Sequence, residues 1–407
     1  MKENFLFLGF AIPENEMKRT FTRDTNPTVQ THKFNWNLIK GMEACDTCDF
    51  TYVSARPVSD YPYYPEKQIM GNEWTLDILG KKITISELSY SNSSLLKIIT
   101  RFFSGIYVCF RKYHKIKNKG GIIVYSVHLP FMMIGYLLSK LYKIDFITIW
   151  TDPPSVPSGF DSRLKKNLRS IELFISKHLM KKASKVIALT KYLAEDFAPG
   201  KPYIVVEGII DENEINRNIN CKENRSDNDI KVVYTGSLDR RYGVCNIVDG
   251  IIMLNNKDVK LEIYGRGDYE DELSDICSKH SNIRYMGYTS NDNILMIQRN
   301  ADFLINARSA SDEFVKYSFP SKTLEYMLSG TPLITTMLPG IPDGYRDYVI
   351  ILNDNKPETI CDTIKSVQGL SSIERQNIGM KAQDFACAKN YINQGKRIVN
   401  FILSKNI

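Results

Sequence analysis

The sequence has no run long and apolar enough to span a bilayer, no internal repeat and no low-complexity tract. These absences exclude a helical integral membrane protein, a solenoid and a disordered chain. Its eight cysteines are scattered over 407 residues, so disulfides are not the source of the fold. The opening MKENFLFLGF lacks the n-region, h-region and cleavage site of a secretory signal, and a reducing cytosol is expected. Cys45 and Cys48 form a single CxxC with no second CxxC or HxxxH to complete a zinc site, and both read as ordinary residues. The one DxD, Asp227-Asn228-Asp229, falls in a polar stretch rather than at a strand end. No metal is expected, and no nucleic-acid partner.

The length predicts two domains of roughly 200 residues each. Hydrophobic residues at 43% and charged residues at 24% are ordinary globular composition. The formal charge of +7 is concentrated in two runs of the first half, Leu95 to Lys119 and Arg163 to Lys185. Both read as amphipathic basic helices suited to an anionic membrane surface, and equally as surface helices packing one apolar face on a sheet. The location expected is cytoplasmic, with peripheral contact on the inner face of the plasma membrane as the reading that the basic runs allow. Gly121 to Trp150 is the most hydrophobic stretch, but His128, Pro130, Lys140, Lys143 and Asp145 interrupt it. It parses as strand GIIVYSV, helix PFMMIGYLLSKLY and strand DFITIW, one βαβ unit.

Strand-like runs alternate with helical stretches through both halves: NFLFLGF, DFTYVSA, GIIVYSV, DFITIWT, SKVIALT and PYIVVEG, then KVVYTGS, VKLEIYG, NIRYMGY, ADFLINA, TPLITT and YVIILND. This is the pattern of two α/β, doubly wound domains. Boundaries are set at 1–210 for the first, 211–229 for a polar linker or loop, 230–385 for the second and 386–407 for a terminal helix that could return to the first. Open α/β sheets bind ligands at the carboxyl ends of their strands, so a cleft between the domains is the expected site.

Three turns could carry chemistry. After KVVYTG, residues Gly236 and Ser237 lead through Arg240 and Arg241 to Gly243 and a helix. This is an anion site in principle and also a turn generic to the fold. Gly265 and Gly267 lack the third glycine of a dinucleotide fingerprint and read as a structural turn. In Ser318–Pro332, SFPSKTLEYMLSGTP, Pro320 and Gly330 punctuate a helix. Free amides of Ser321, Lys322 and Thr323 would hold a phosphate, with the Lys322 ammonium as a further contact. Glu325, one turn inside, would accept ribose hydroxyls or else pair locally on an exposed face. His128 and Asp152 follow successive strands at their carboxyl ends, as site residues or as polar loop residues.

On these elements the chain resembles glycosyltransferase family four, the retaining GT-B enzymes, and above all members that build capsule, exopolysaccharide or O-antigen. The elements stand in order: Tyr234-Thr235-Gly236, Gly265-Arg266-Gly267, Tyr285-Met286-Gly287-Tyr288 and the helix ending EYMLSGTPLI. The resemblance implies a GT-B fold, a nucleoside diphosphate sugar such as a UDP sugar as co-substrate, and a glycan acceptor, lipid-linked in many members. It implies that Glu325 binds the donor ribose, that the backbone after Pro320 binds the diphosphate, and that Gly287 and Tyr288 border the base. His128, in VYSVHLP, would contact the transferred sugar, and the loop at Gly9 and Phe10 would close over phosphates and acceptor. Three positions depart from the pattern. Tyr317 stands where a first glutamate is common, and Ser237 and Tyr242 stand where an Arg and Lys pair is usual, which leaves Arg240, Arg241 and Lys322 to neutralise the leaving diphosphate. A non-catalytic partner subunit and a nucleotide-sugar epimerase are the rival readings.

Overall fold

In the computed structural model, residues 2–27, 29–154, 163–211, 229–310 and 313–404 are described. The polar run at 211–229 and its DxD lie outside them except for Asp211 and Asp229. The chain forms two compact units, Met1–Ile209 with Tyr391–Ile407, and Ile210–Asn390.

The first unit contains strands β1 (Glu3–Gly9), β2 (Cys48–Ser54), β3 (Gln68–Ile69), β4 (Glu73–Ile78), β5 (Lys81–Glu87), β6 (Tyr90–Ser91), β7 (Lys119–Tyr125), β8 (Asp145–Trp150), β9 (Lys185–Ala188) and β10 (Tyr203–Val205). Its helices are α1 (Glu14–Arg23), α2 (Val29–Glu43), α3 (Ser94–Tyr113), α4 (Leu129–Tyr142), α5 (Arg163–Met180) and α6 (Lys191–Phe197). The sheet order is β10-β9-β8-β7-β1-β2-β5-β4, parallel except for the last pair. The near-continuous apolar runs of β1 and β7 are buried on both faces, as parallel strands covered by helices require. Sequential order reverses between β1 and β7, so their carboxyl ends flank a crevice.

The second unit contains β11 (Ile230–Thr235), β12 (Val259–Tyr264), β13 (Ile283–Tyr285), β14 (Phe303–Asn306), β15 (Leu333–Thr336) and β16 (Ile350–Leu352). Helices α7 (Val244–Leu254), α8 (Glu270–Lys279), α9 (Asn291–Arg299), α10 (Ser321–Leu328), α11 (Pro357–Val367) and α12 (Ser372–Cys387) complete it. The order β13-β12-β11-β14-β15-β16 is that of a doubly wound dinucleotide-type sheet with its switch point between β11 and β14. The last helix, α13 (Tyr391–Leu403), belongs to the first unit and crosses α2 closely. A Cβ on Gly395 would lie 2.0 Å from the carbonyl oxygen of Gly41.

Three sequence expectations change. The hairpin β4–β5 stood in no predicted strand. The basic run ending at Lys119 is not one helix, because α3 stops at Tyr113 and Lys119 opens β7, where it pairs beside β1. Likewise α5 ends at Met180 and Lys185 opens β9. Cys45 and Cys48 are buried free thiols, and burial pushes Cys48 up to about 12, which keeps it protonated.

The GxG turn is structural. Gly265 has φ +152°, and a Cβ there would lie 1.8 Å from the carbonyl oxygen of Gly236. Gly265→Ala is expected to destabilise the second unit by about 2–4 kcal/mol through overpacking and backbone strain. Gly344→Ala, whose Cβ meets nothing within 4 Å, should change little. Denaturant melts followed by hydrogen exchange of the β11 and β12 amides check the pair.

Candidate functional site

In the second unit the site grows from the carboxyl end of β11. The Gly236 amide donates to Tyr264 O at 2.9 Å, and the Tyr234 hydroxyl donates to Ser237 O at 2.7 Å, which seats the first turn on the neighbouring strand. Asp239 caps the short 3-10 turn Arg240–Tyr242. Arg240 and Arg241 stand on this turn, but neither is a free cation. Arg240 pairs with Glu272 of α8, and Arg241 donates to both oxygens of Asp239 at 2.6–3.1 Å. The Arg241 hydrogen bonds hold the Asp239 carboxyl down at about 2.

Helix α10 starts at Ser321 with Pro320 as its cap residue, and Gly330 (φ +75°) turns the chain after its end. The amides of its first turn have no intrahelical acceptor, which makes that end a seat for an anion. One expected donor is already used: the Thr323 amide bonds Pro320 O at 2.8 Å in a tight first turn, leaving the seat to Ser321 and Lys322. Glu325 is held from two sides. Lys322 Nζ lies 2.8 and 3.0 Å from its two oxygens, and Gln298 Nε2 donates to Oε1 at 2.7 Å. Gln298, fully buried on α9, also donates to the Thr235 hydroxyl at 3.0 Å. Oε2, which among the described residues meets only Lys322, is the less committed oxygen of a carboxylate about one-third exposed.

Gln298 and Tyr326 were not foreseen. The buried Tyr326 hydroxyl donates to Thr235 O at 2.7 Å and accepts from Thr235 N at 2.8 Å, so α10 is bonded to the last residue of β11. Tyr288, 65% exposed after Gly287 (φ +72°), carries the guanidinium of Arg266 over its ring at 4.8 Å. Tyr317 ends a 3-10 turn, with Lys316 Nζ 4.9 Å from its ring centroid.

In the first unit Gly9 ends β1, Phe10 follows it, and His128 follows β7, so the switch point brings Phe10 and His128 together. Phe10 and His128 meet edge to face at 5.0 Å. Asp152 stands after β8, exposed, accepting from the Thr151 hydroxyl at 2.9 Å. Among the described residues it makes no contact with His128.

Behind His128 lies Arg101 of α3, 6% exposed. Its Nη1 is 3.3 Å from His128 Nε2, and its Nη2 donates to Arg56 O at 3.1 Å and the Tyr90 hydroxyl at 2.8 Å. A guanidinium only donates, so Nε2 accepts and the ring proton resides on Nδ1, which is buried with no partner among the described residues. Burial, with Arg101 and Lys97 adding to it, holds the imidazole well below its ordinary value of 6.5. His128 is thus a neutral donor.

The whole-chain architecture matches solved structures. OtsA in its apo form aligns over 100% of both chains with TM-score 0.67 and 9% identity. Anabaena HepE in complex with UDP aligns over 98% of this chain and 99% of that one, TM-score 0.62, 14% identity. Sucrose-phosphate synthase from Thermosynechococcus elongatus covers 98% of each, TM-score 0.58, 12% identity. The chain has the GT-B fold. Residues 229–368 match the family described as Glycosyl transferases group 1. This GT-B segment contains Gly236, Ser237, Arg240, Arg241, Gly287, Tyr288 and the whole of α10. No curated protein matches the chain.

Two linked outcomes are expected for His128. Nitrogen chemical shifts should show Nε2 unprotonated and the ring titrating well below its ordinary value, and Arg101→Met should raise the transition only part of the way, since burial remains. A wild-type ring titrating near its ordinary value overturns the assignment. Both His128 and His32, which burial holds at about 4, stay unprotonated in the folded chain while the unfolded chain takes up protons. Stability of the first unit is therefore fully present above about pH 6.5 and falls as pH drops below it, by up to about 1.4 kcal/mol per pH unit for each group.

Proposed function

We propose that the protein is a retaining glycosyltransferase that moves a sugar from a nucleoside diphosphate donor to a lipid-linked glycan acceptor in capsule, exopolysaccharide or O-antigen synthesis. The observation that carries the reading is Glu325, fixed by Gln298 one turn inside a helix whose open N-terminus lies at the switch point of a glycosyltransferase group 1 segment. Glu325 Oε2 accepts ribose hydroxyls. The Ser321 and Lys322 amides take the diphosphate, and the Tyr288–Arg266 stack borders the base. UDP in the HepE structure supports a UDP sugar as the donor.

The three cations of the donor turn and α10 are each paired with a carboxylate at rest. The pairs of Arg240 and Arg241 are largely exposed, and such pairs contribute about 0–1 kcal/mol, so an arriving diphosphate can take their place at little cost. The positive charge that stabilises the leaving group is then supplied by Arg240 or Arg241 with Lys322, and the reaction needs no metal. With no carboxylate placed as nucleophile among the described residues, attack comes from the front face and a donor phosphate oxygen takes the acceptor proton. His128, neutral, contacts the transferred sugar. Asp152, and the loop at Gly9 and Phe10, act on the acceptor.

Calorimetry with UDP, GDP and dTDP sugars tests this. Glu325→Ala should weaken donor binding at least about tenfold, since hydrogen bonds to a charged group contribute about 1.5–3 kcal/mol each. Lys322→Met should weaken it further for the diphosphate sugar than for the free nucleoside. Unchanged affinity in Glu325→Ala refutes the pocket. Tyr317 and the paired arginines favour a second reading, a donor-binding subunit without catalysis, and donor binding without transfer or hydrolysis would establish it.

A further inference from the structure

We infer that the outer face of α3, α4 and α5 is a docking surface for an anionic lipid membrane. A helix packed on a sheet needs one apolar stripe, and α3 has it in Gly105, Cys109 and Tyr113, all buried. A second apolar stripe points outward, where Ile99, Phe103 and Tyr107 are 51–64% exposed. Helix α4 packs between α3 and α5 and adds Leu141 at 59%. On α5, Ile171 and Phe174 are 57% and 74% exposed. Three helices packed side by side thus each leave large apolar side chains exposed.

Charge identifies the occupant. Helices α3 and α4 contain no acidic residue and α5 contains only Glu172, which is partly buried. Arg111, Lys115, Lys140, Lys177 and Lys181 are exposed on and beside the same helices. Aromatic and aliphatic side chains ringed by cations fit acyl chains beneath anionic headgroups. Among the described residues no helix is long and apolar enough to cross a bilayer, so the surface lies on the membrane. The inference stands on this exposed face; it deepens the proposed reading only in bringing the first unit to where a lipid-linked acceptor resides.

Flotation with phosphatidylcholine vesicles, with and without phosphatidylglycerol, tests it on the full chain. The protein should float with the anionic vesicles at low salt and be released at high salt. The triple substitution Phe103→Ser, Tyr107→Ser, Phe174→Ser and, separately, the pair Lys140→Glu, Lys181→Glu should each lower vesicle binding at least about tenfold while donor affinity stays unchanged. Ile373→Ser with Met380→Ser, exposed on α12 of the second unit, should change nothing. Failure to float, or equal binding to neutral vesicles, overturns the inference. So does a wild-type dimer that the triple substitution makes monomeric without vesicle binding ever having been present, since a second copy would then own the face. Loss of donor binding in Glu325→Ala with flotation intact separates the two readings.

Discussion

The hydroxyl of Tyr326 bonds both the amide and the carbonyl of Thr235, and the placement of Glu325 in the second unit depends on that clasp. A strand's last residue normally leaves one of these groups to water or to the next turn. Here a phenol from α10 satisfies both inside the core, and burial raises its own ionisation well above the ordinary range, so it stays a donor. The clasp sets the helix's position against β11. Because Glu325 precedes Tyr326, its carboxylate emerges beside Gln298, which is itself tied to the Thr235 hydroxyl. A buried polar network of this kind disfavours other arrangements, since a slip strands further polar groups beyond Gln298 Oε1, which has no partner among the described residues.

The second unit was largely legible. Each apolar run from KVVYTGS to YVIILND became a strand, because buried parallel strands have only one composition to draw on. Pro320 and Gly330 marked α10 by rules that need no tertiary information. What stayed hidden was the partner of Glu325. Gln298 lies on another helix, and no spacing in the sequence links the two positions. The Thr323 amide was misread for a related reason: a 3-10 first turn and an α-helical one look alike in sequence.

The first unit hid more. The hairpin β4–β5 turns at Leu79 and Gly80, both with positive φ, and the usual Asn-Gly signal is absent because Leu79 takes the left-handed position. Asp77 compensates by accepting from the Gly80 amide at 2.9 Å. Arg101 did leave a trace. It shares the i, i+4 stripe of Lys97, Gly105, Cys109 and Tyr113, which is the core-facing side of α3. Two cations on an otherwise buried stripe signal a polar site under the helix, a signal that net charge and run length obscured.

The two units therefore hold positive charge in opposite ways. Arg240, Arg241 and Lys322 are partly or wholly exposed and each is matched by a carboxylate, so their charge is locally balanced and screened by water. Arg101 is buried, and all its acceptors are neutral: a carbonyl, a phenol and an imidazole. Its charge is permanent, and burial makes it felt over a longer range than a surface pair achieves. Removing a buried charge from water is costly, and the carbonyl, the phenol and the aromatic faces of Tyr90 and Phe10 offset that cost. Burial first, and then this charge, hold the His128 imidazole well below its ordinary value, with Nε2 as the acceptor. An imidazole so constrained is held in one tautomer beside a fixed positive charge, whereas the exposed pairs of the second unit leave their cations open to other partners.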